Sequence, residues 1–319
     1  MNATQLHLLS NSEDFYDLQT VVSSLREKRL KSLAARQREQ TPPKLPSKIR
    51  LQEVVETLAT ALFPNRLGSG EVSGEAIDYY VGHALSHALI QLAGQISREL
   101  LFLRQEAQAI PGTNTDPERG AHELTRSFAK RLPEIRSLLD RDLQAAYEGD
   151  PAARSVDEVL VCYPGMAAII YHRVAHELYR LGLSLTARMI AEISHSATGI
   201  DIHPGAQIGE GFFIDHGTGV VIGETTIIGR NVRLYQAVTL GAKRFLTNEN
   251  GSLVKGNARH PILEDEVVVY AGATILGRIT IGRGSTIGGN VWLTRSVQPF
   301  SQVTQAAPKQ DLYDLGAGI

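Results

Sequence analysis

The sequence predicts an α+β chain: an N-terminal α-helical domain followed by a C-terminal left-handed parallel β-helix of hexapeptide repeats. Three observations carry the prediction. Apolar residues recur at spacings of three and four up to about residue 200. Beyond it, thirteen aliphatic residues recur at a spacing of six. Glycine follows six of those thirteen directly, which eases a turn at the end of each short strand.

In the first half, Leu51, Val54, Val55, Leu58 and Leu62 mark one amphipathic helix. Ile77, Val81, Leu85, Leu89, Leu92 and Ile96 mark a longer one over about 74–107. Further helical patterns cover 118–147, 164–181 and 184–195, separated by "IPGTNTDP" and "YPG". The stretch "QTPPKLPS" reads as an extended linker, which leaves residues before it as a helical arm or a disordered tail. The expected divisions are an arm and Pro-rich linker over 1–45, a helical domain over 46–198, a β-helix over 199–300 with an extruded loop at 241–262, and a tail over 301–319.

In the second half the repeat runs through Ile202, Ile208, Ile214, Ile222, Ile228, Leu234 and Leu240, then Leu263, Val269, Ile275, Ile281, Ile287 and Leu293. A two-residue slip follows Ile214, and a loop separates Leu240 from Leu263. The fourth residue after each repeat position is mostly small or β-branched, as at Ala206, Thr218, Thr226, Val232, Val238, Val267, Ala273 and Ser285. Residues two apart in a strand share a face, so that residue and the next aliphatic both point inward. Ordinary hairpins would show two-residue turn signals and no fixed period.

Composition narrows the function classes. Of 319 residues, 43% are hydrophobic and 21% charged, as in an ordinary soluble globular protein. A formal net charge of −2 gives no reason to expect nucleic acid or an acidic membrane as partner. The lone Cys162 excludes an internal disulfide framework and fits a reducing compartment. The start, "MNATQLHLLSNSEDFYDLQ", has no basic segment followed by an apolar run, and no stretch is apolar for long enough to span a bilayer. A cytoplasmic protein is expected.

A solenoid is a scaffold, so the polar residues that break its pattern are the informative ones. They are Asp201, His203, Asp215, His216, Glu224, Arg259 and His260. An imidazole that titrates near neutrality is the usual base for taking a proton from a hydroxyl, and a carboxylate on its other nitrogen fixes its tautomer. Asp201 and His216 are fifteen residues apart, a little less than one coil of three hexads, so neighbouring coils can bring them together. Strand alternation points Asp215 away from His216, which leaves it for another task such as holding an ammonium. Glu224 also reads as a solvated outward residue, and His203, before Pro204, as structural. Cys162 reads as a small packing residue rather than a nucleophile. His203, His216 and His260 stand too far apart to form a short two-histidine ligand spacing, so the repeat carries no strong metal signal.

The segment "DIHPGAQIGEGFFIDHGTGVVIGET", with "QAVTLG", "RHP" and "GATILGRITIGRGSTIGG", closely resembles the serine O-acetyltransferases, over about residues 140–300. The family's Asp-Pro in the helical domain fits "GDPAA", with Asp150 placed 51 residues before Asp201. The resemblance implies transfer of acetyl from acetyl-CoA, as co-substrate and with no other cofactor, to the hydroxyl of L-serine. It implies His216 as general base with Asp201 as its partner. Asp150 and Asp215 would hold the serine ammonium, Arg259 and His260 its carboxylate, and Glu224 would lie nearby. It further implies acetyl-CoA in a groove between subunits of a trimer, an assembly that is either a homotrimer or a hexamer of two trimers, and feedback inhibition by L-cysteine. The terminal Ile319 is what family members insert into O-acetylserine sulfhydrylase. This chain departs from the pattern in a longer 241–260 loop, an N-terminal extension and a short tail. A sugar or other amino acid as acceptor, and a silent trimeric scaffold for a partner enzyme, remain as alternatives. The set Asp150, Asp215, Arg259 and His260 suits a zwitterion better than a sugar.

Overall fold

The computed structural model describes residues 17–35, 43–68, 70, 73–105, 116–244, 247–248 and 250–306. The chain divides into two units, Met1–Lys44 and Leu45–Ile319. In the first, helix α1 (Leu18–Ala35) buries none of its residues. Ile319 lies outside the described residues.

The second unit begins with α2 (Lys48–Leu62), a single turn α3 (Pro64–Leu67) and the long α4 (Ala76–Gln105). The apolar stripe of α2, Leu51, Val54, Val55 and Leu58, is buried with Leu92 and Ile96 of α4. The pattern expected as one helix over 118–147 is two, α5 (Pro117–Ala129) and α6 (Leu132–Gly149). Pro133 is the reason: it lacks an N–H to continue the first helix but suits the opening turn of a second. A short α7 (Val156–Cys162) precedes α8 (Pro164–Arg180) and α9 (Ser184–Thr198). Cys162 ends α7 exposed to solvent, so it is not the packing residue the sequence suggested. The buried carboxylate of Glu99 accepts from the N–H groups of Leu185 and Thr186, both at 2.8 Å, and so satisfies the start of α9. Gly199, with φ +70°, closes α9 and turns the chain into the repeat.

Fourteen short strands follow among the described residues, all parallel where they pair. They are β1 (Asp201–Ile202), β2 (Gln207–Ile208), β3 (Phe213–Ile214), β4 (Val221–Ile222), β5 (Ile227–Ile228), β6 (Arg233–Leu234) and β7 (Thr239–Gly241), then β8 (Ile262–Leu263), β9 (Val268–Val269), β10 (Thr274–Leu276), β11 (Thr280–Ile281), β12 (Thr286–Ile287), β13 (Trp292–Leu293) and β14 (Gln302–Val303). Successive strands join different sheets, giving orders β1-β4-β7-β10-β13, β11-β8-β5-β2 and β14-β12-β9-β6-β3. The result is a three-sided prism. Its register stacks Ile202, Ile222, Leu240, Ile275 and Leu293 in one column. Of the thirteen repeat aliphatics only Ile208 and Leu293 fall short of full burial. At the slip the inward role passes from Thr218, which is exposed, to the fully buried Val220. The extra residues are thereby pushed out of the prism at one corner.

A buried latch joins the helices to the first coil. Arg173 of α8 forks onto Asp142 of α6 at 2.9–3.0 Å, and its other N–H groups reach the carbonyls of Ile208 and Gly209. Asp142 also accepts from Phe212 N–H at 2.9 Å. Such a pair contributes little over an apolar substitute, but removing one partner strands a buried charge at a cost of about 3–5 kcal/mol. Beside it, His172 is fully buried, and its Nδ1 has no hydrogen-bond partner among the described residues. His176 bonds to the Pro204 carbonyl through Nδ1, and His203 stacks edge-on against Tyr179.

Burial holds all three histidines below their ordinary value near 6.5, with His203 pushed down to about 4. The unfolded chain therefore takes up these protons first as pH falls. Their contribution to stability is complete above about 6.5 and is lost as pH drops from there through about 4. The urea midpoint is expected to fall between pH 7.5 and pH 5. A midpoint that stays level over that range contradicts this account.

Candidate active site

His216 stands at the corner where the chain passes from β3 to β4, from one face of the prism to the next. Its backbone is left-handed, φ +58°, and Gly217 N–H bonds to Asp215 C=O at 2.7 Å, closing a three-residue turn. Gly217 follows with φ +90°, where a Cβ would lie 2.4 Å from Ile200 Cδ1. The turn leaves the His216 side chain 70% exposed and Asp215 nearly buried. A non-glycine residue in this region is uncommon and, when present, marks strain that the surroundings impose.

Two carboxylates, Asp215 and Asp150, stand near this imidazole. Asp215 lies nearest, with Oδ1 3.8 Å from His216 Nε2. Strand alternation, which should have pointed the two apart, does not hold because the turn abandons the strand. Arg233 of β6 donates to Asp215 Oδ2 at 2.8 Å. Asp150, the residue that ends α6, accepts from Tyr163 O–H at 2.5 Å and from Ala152 N–H at 2.8 Å. Those two hydrogen bonds, Tyr163 first, hold its carboxyl below the ordinary value, and the nearby charges of Arg233 and His216 add to the effect. The same bond pushes the Tyr163 phenol up to about 12. Asp201, at the start of β1, makes no hydrogen bond or ion pair with His216 among the described residues. Its carboxylate groups instead with Glu192 and His195 of α9, all within 4.8 Å of one another.

Glu224, Arg259 and His260 gather at a different corner, between β4 and β5. Arg259 donates to Glu224 at 2.5 Å, and Tyr179 O–H donates to its other oxygen at 3.0 Å. Burial pushes Glu224 up, but these two bonds outweigh it and hold the carboxyl low. Thr225 binds the segment back: its Oγ1 accepts from the N–H groups of Arg259 and His260 and lies 2.9 Å from His260 Nδ1. Thr225 N–H also donates to Nδ1 at 3.1 Å, so the neutral ring carries its proton on Nε2. Burial, then Arg259, pushes His260 down to about 4, which keeps it neutral. This corner therefore offers a guanidinium and an imidazole N–H, both suited to a carboxylate. His203 is held structurally, its Nδ1 accepting from Gly205 N–H at 2.9 Å.

The structure thus brings together Asp150, Asp215 and His216 at one corner, and Glu224, Arg259 and His260 at another. It does not join the two groups within one chain. Tyr163, Arg233 and Thr225 complete the groups and were not singled out from sequence. Arg233 occupies an outward repeat position, where a solvated residue is the default, and Tyr163 sits in a "YPG" that read only as a helix break.

No family model matches the chain. It is similar to a plasmid-encoded serine acetyltransferase of Synechococcus elongatus, 58% identical over 276 residues that span 86% of each chain. Among solved structures it is similar to serine acetyltransferase isoform 3 of Entamoeba histolytica in complex with cysteine. That likeness has a TM-score of 0.67 and 33% identity, over 87% of this chain and 88% of the other. It is also similar to soybean serine acetyltransferase complexed with serine, with a TM-score of 0.52 and 31% identity over 80% and 96%. Helical layer, prism, the Asp-His corner and a relative matched across most of both chains agree on one assignment: the chain belongs to the serine acetyltransferases.

Proposed function

We propose that this chain transfers the acetyl group of acetyl-CoA to the hydroxyl of L-serine, with His216 as general base. The observation that carries the reading is the convergence of an exposed imidazole with two anchored carboxylates, Asp150 and Asp215. A base beside two anions suits an acceptor that carries a hydroxyl and an ammonium on adjacent carbons. His216 takes the proton from the serine Oγ as the oxygen attacks the thioester carbonyl. The tetrahedral intermediate collapses by breaking the C–S bond, and His216 returns the proton to the departing CoA sulfur. The products are O-acetylserine and CoA. Asp201, from the coil below, would steady the imidazolium once substrate closes the corner. The chemistry draws on acetyl-CoA as co-substrate and asks for no metal or other cofactor.

The serine carboxylate needs Arg259 and His260, which stand on the next corner of the prism. A neighbouring subunit is the natural source, so the site is assigned to the interface of a trimer, with acetyl-CoA lying along the same groove. Cysteine carries the same ammonium and carboxylate as serine, with a thiol in place of the hydroxyl, so it would compete for the same contacts. Its binding to the Entamoeba relative supports that reading. The terminal Ile319 would dock in O-acetylserine sulfhydrylase, and a reducing cytoplasm suits the exposed thiol of Cys162.

A thiol-release assay with acetyl-CoA is expected to show turnover with L-serine and not with sugars. His216→Ala is expected to lower kcat by roughly 10² to 10⁴, the range for a positioned acid–base group. Turnover with another acceptor alone, or near-normal turnover in the variant, contradicts the mechanism. Deleting Ile319 is expected to abolish capture of the sulfhydrylase in a pull-down while sparing acetyl transfer. Undiminished capture removes the tail from the account.

A further inference from the structure

Two side chains stand behind the carboxylates of the ammonium pocket. Tyr163 precedes α8 and gives its hydroxyl to one oxygen of Asp150, while Ala152 N–H holds the other. The residue two further on, Gly165, lies so close to the repeat that a Cβ would sit 2.2 Å from Ile214 O. The phenol therefore comes from a helix start that is pressed against the strand leading into Asp215.

Arg233 holds one carboxylate directly and the helix end that carries the other. One N–H reaches Asp215 Oδ2 at 2.8 Å, and another reaches the carbonyl of Gly149, the residue before Asp150, at 2.6 Å. One guanidinium thus spans from the prism to the end of α6. Phe213 and Tyr235 set its position, with ring centroids 4.9 and 4.6 Å from the guanidinium carbon. Among the described residues its Nε is buried without a hydrogen-bond partner. A buried unpaired donor is costly, and apolar packing would tie a helix to a strand at less expense. What packing cannot supply is charge. Two carboxylates facing one pocket repel, and one of them tends to take up a proton. With Arg233 beside them, the group carries one net negative charge, which a single ammonium neutralises.

The geometry points to Tyr163 and Arg233 as positioning residues of the acceptor pocket: Tyr163 fixes Asp150, Arg233 fixes Asp215 and the adjoining helix end, and together they match the pocket to one ammonium. The assignment rests on the reading that Asp150 and Asp215 hold the serine ammonium. Neither residue is asked to touch the reacting atoms, so their loss is felt in acceptor binding before it is felt in turnover.

The test is steady-state kinetics of the full chain, with serine varied at saturating acetyl-CoA, for Tyr163→Phe, Arg233→Gln, Arg233→Lys and Asp150→Asn. Tyr163→Phe and Arg233→Gln are each expected to raise the serine KM on the order of tenfold while kcat changes less than about threefold, the mark of lost ground-state binding. Arg233→Lys keeps the charge but not the fork and is expected to recover part of that loss. The double variant Tyr163→Phe with Asp150→Asn is expected to bind serine no worse than Asp150→Asn alone, since the tyrosine acts through that carboxylate.

The pH profile separates positioning from general support of the fold. Asp150 faces Tyr163, Arg233 and His216, with Asp215 and Tyr235 around the same guanidinium. Tyr163 holds the carboxyl low, so its removal lets Asp150 protonate at higher pH. The acid limb of kcat/KM for serine is expected to move up in Tyr163→Phe. An unchanged serine KM in both Tyr163→Phe and Arg233→Gln, with Asp150→Asn impaired, overturns the positioning roles and leaves the ammonium reading standing. An unchanged serine KM in Asp150→Asn removes that reading and this inference with it.

Discussion

The three-residue turn at Asp215–Gly217 is the constraint on which the site depends. Six-residue repeats alone would carry the chain round the corner between β3 and β4 with its side chains shared between core and solvent in the ordinary way. Two extra residues make that impossible. Val220 takes over the inward position, and the surplus is expelled as a turn whose centre has positive φ. The imidazole is thereby thrust outward while the carboxylate beside it stays nearly buried. Left-handed backbone at a histidine costs free energy, and the packing of Gly217 against Ile200 and the hydrogen bond across the turn hold it in place.

That turn is useful only because the helical layer is registered against it. The Asp142–Arg173 pair binds α6 and α8 to the first coil, and Arg233 binds the end of α6 to the third face. Asp150 caps the C-terminal end of α6, so its position relative to His216 follows from these two guanidinium bridges. The same economy appears at the other corner, where Thr225 holds the backbone of Arg259 and His260 and sets the tautomer of the imidazole, while Glu224 holds the guanidinium. Each corner is rigid and incomplete: one offers a base and anions, the other a cation and a neutral donor.

The repeat was legible because an inward position in a narrow prism tolerates so few side chains. Ile202 through Leu293 are aliphatic at a fixed spacing, and their stacking in columns follows from the period alone. His216 was legible for the opposite reason, as a polar residue where the count fails. What the residues hid was orientation. Alternation assigned Asp215 away from His216, since nothing in the letters announces a positive φ at a histidine. The pairing of Asp201 with His216 rested on coil length, yet Asp201 sits with Glu192 and His195, which lie on a helix whose periodicity says nothing of the strand it meets. Arg233 and Tyr163 were invisible because their importance lies in what they reach across the fold. The break between α5 and α6 was written in Pro133, which an apolar pattern continuous across it concealed.

The central claim is that one corner of a chain works with the neighbouring corner of another. It is tested most directly by mixing two disabled subunits, His216→Ala and His260→Ala, in equal amounts and reassembling them. Each parent is expected to be nearly inactive. If the site forms between subunits, random assembly restores intact pairings at about a quarter of the interfaces, with activity to match. A mixture no more active than its parents would contradict the claim and place both corners' chemistry within a single chain.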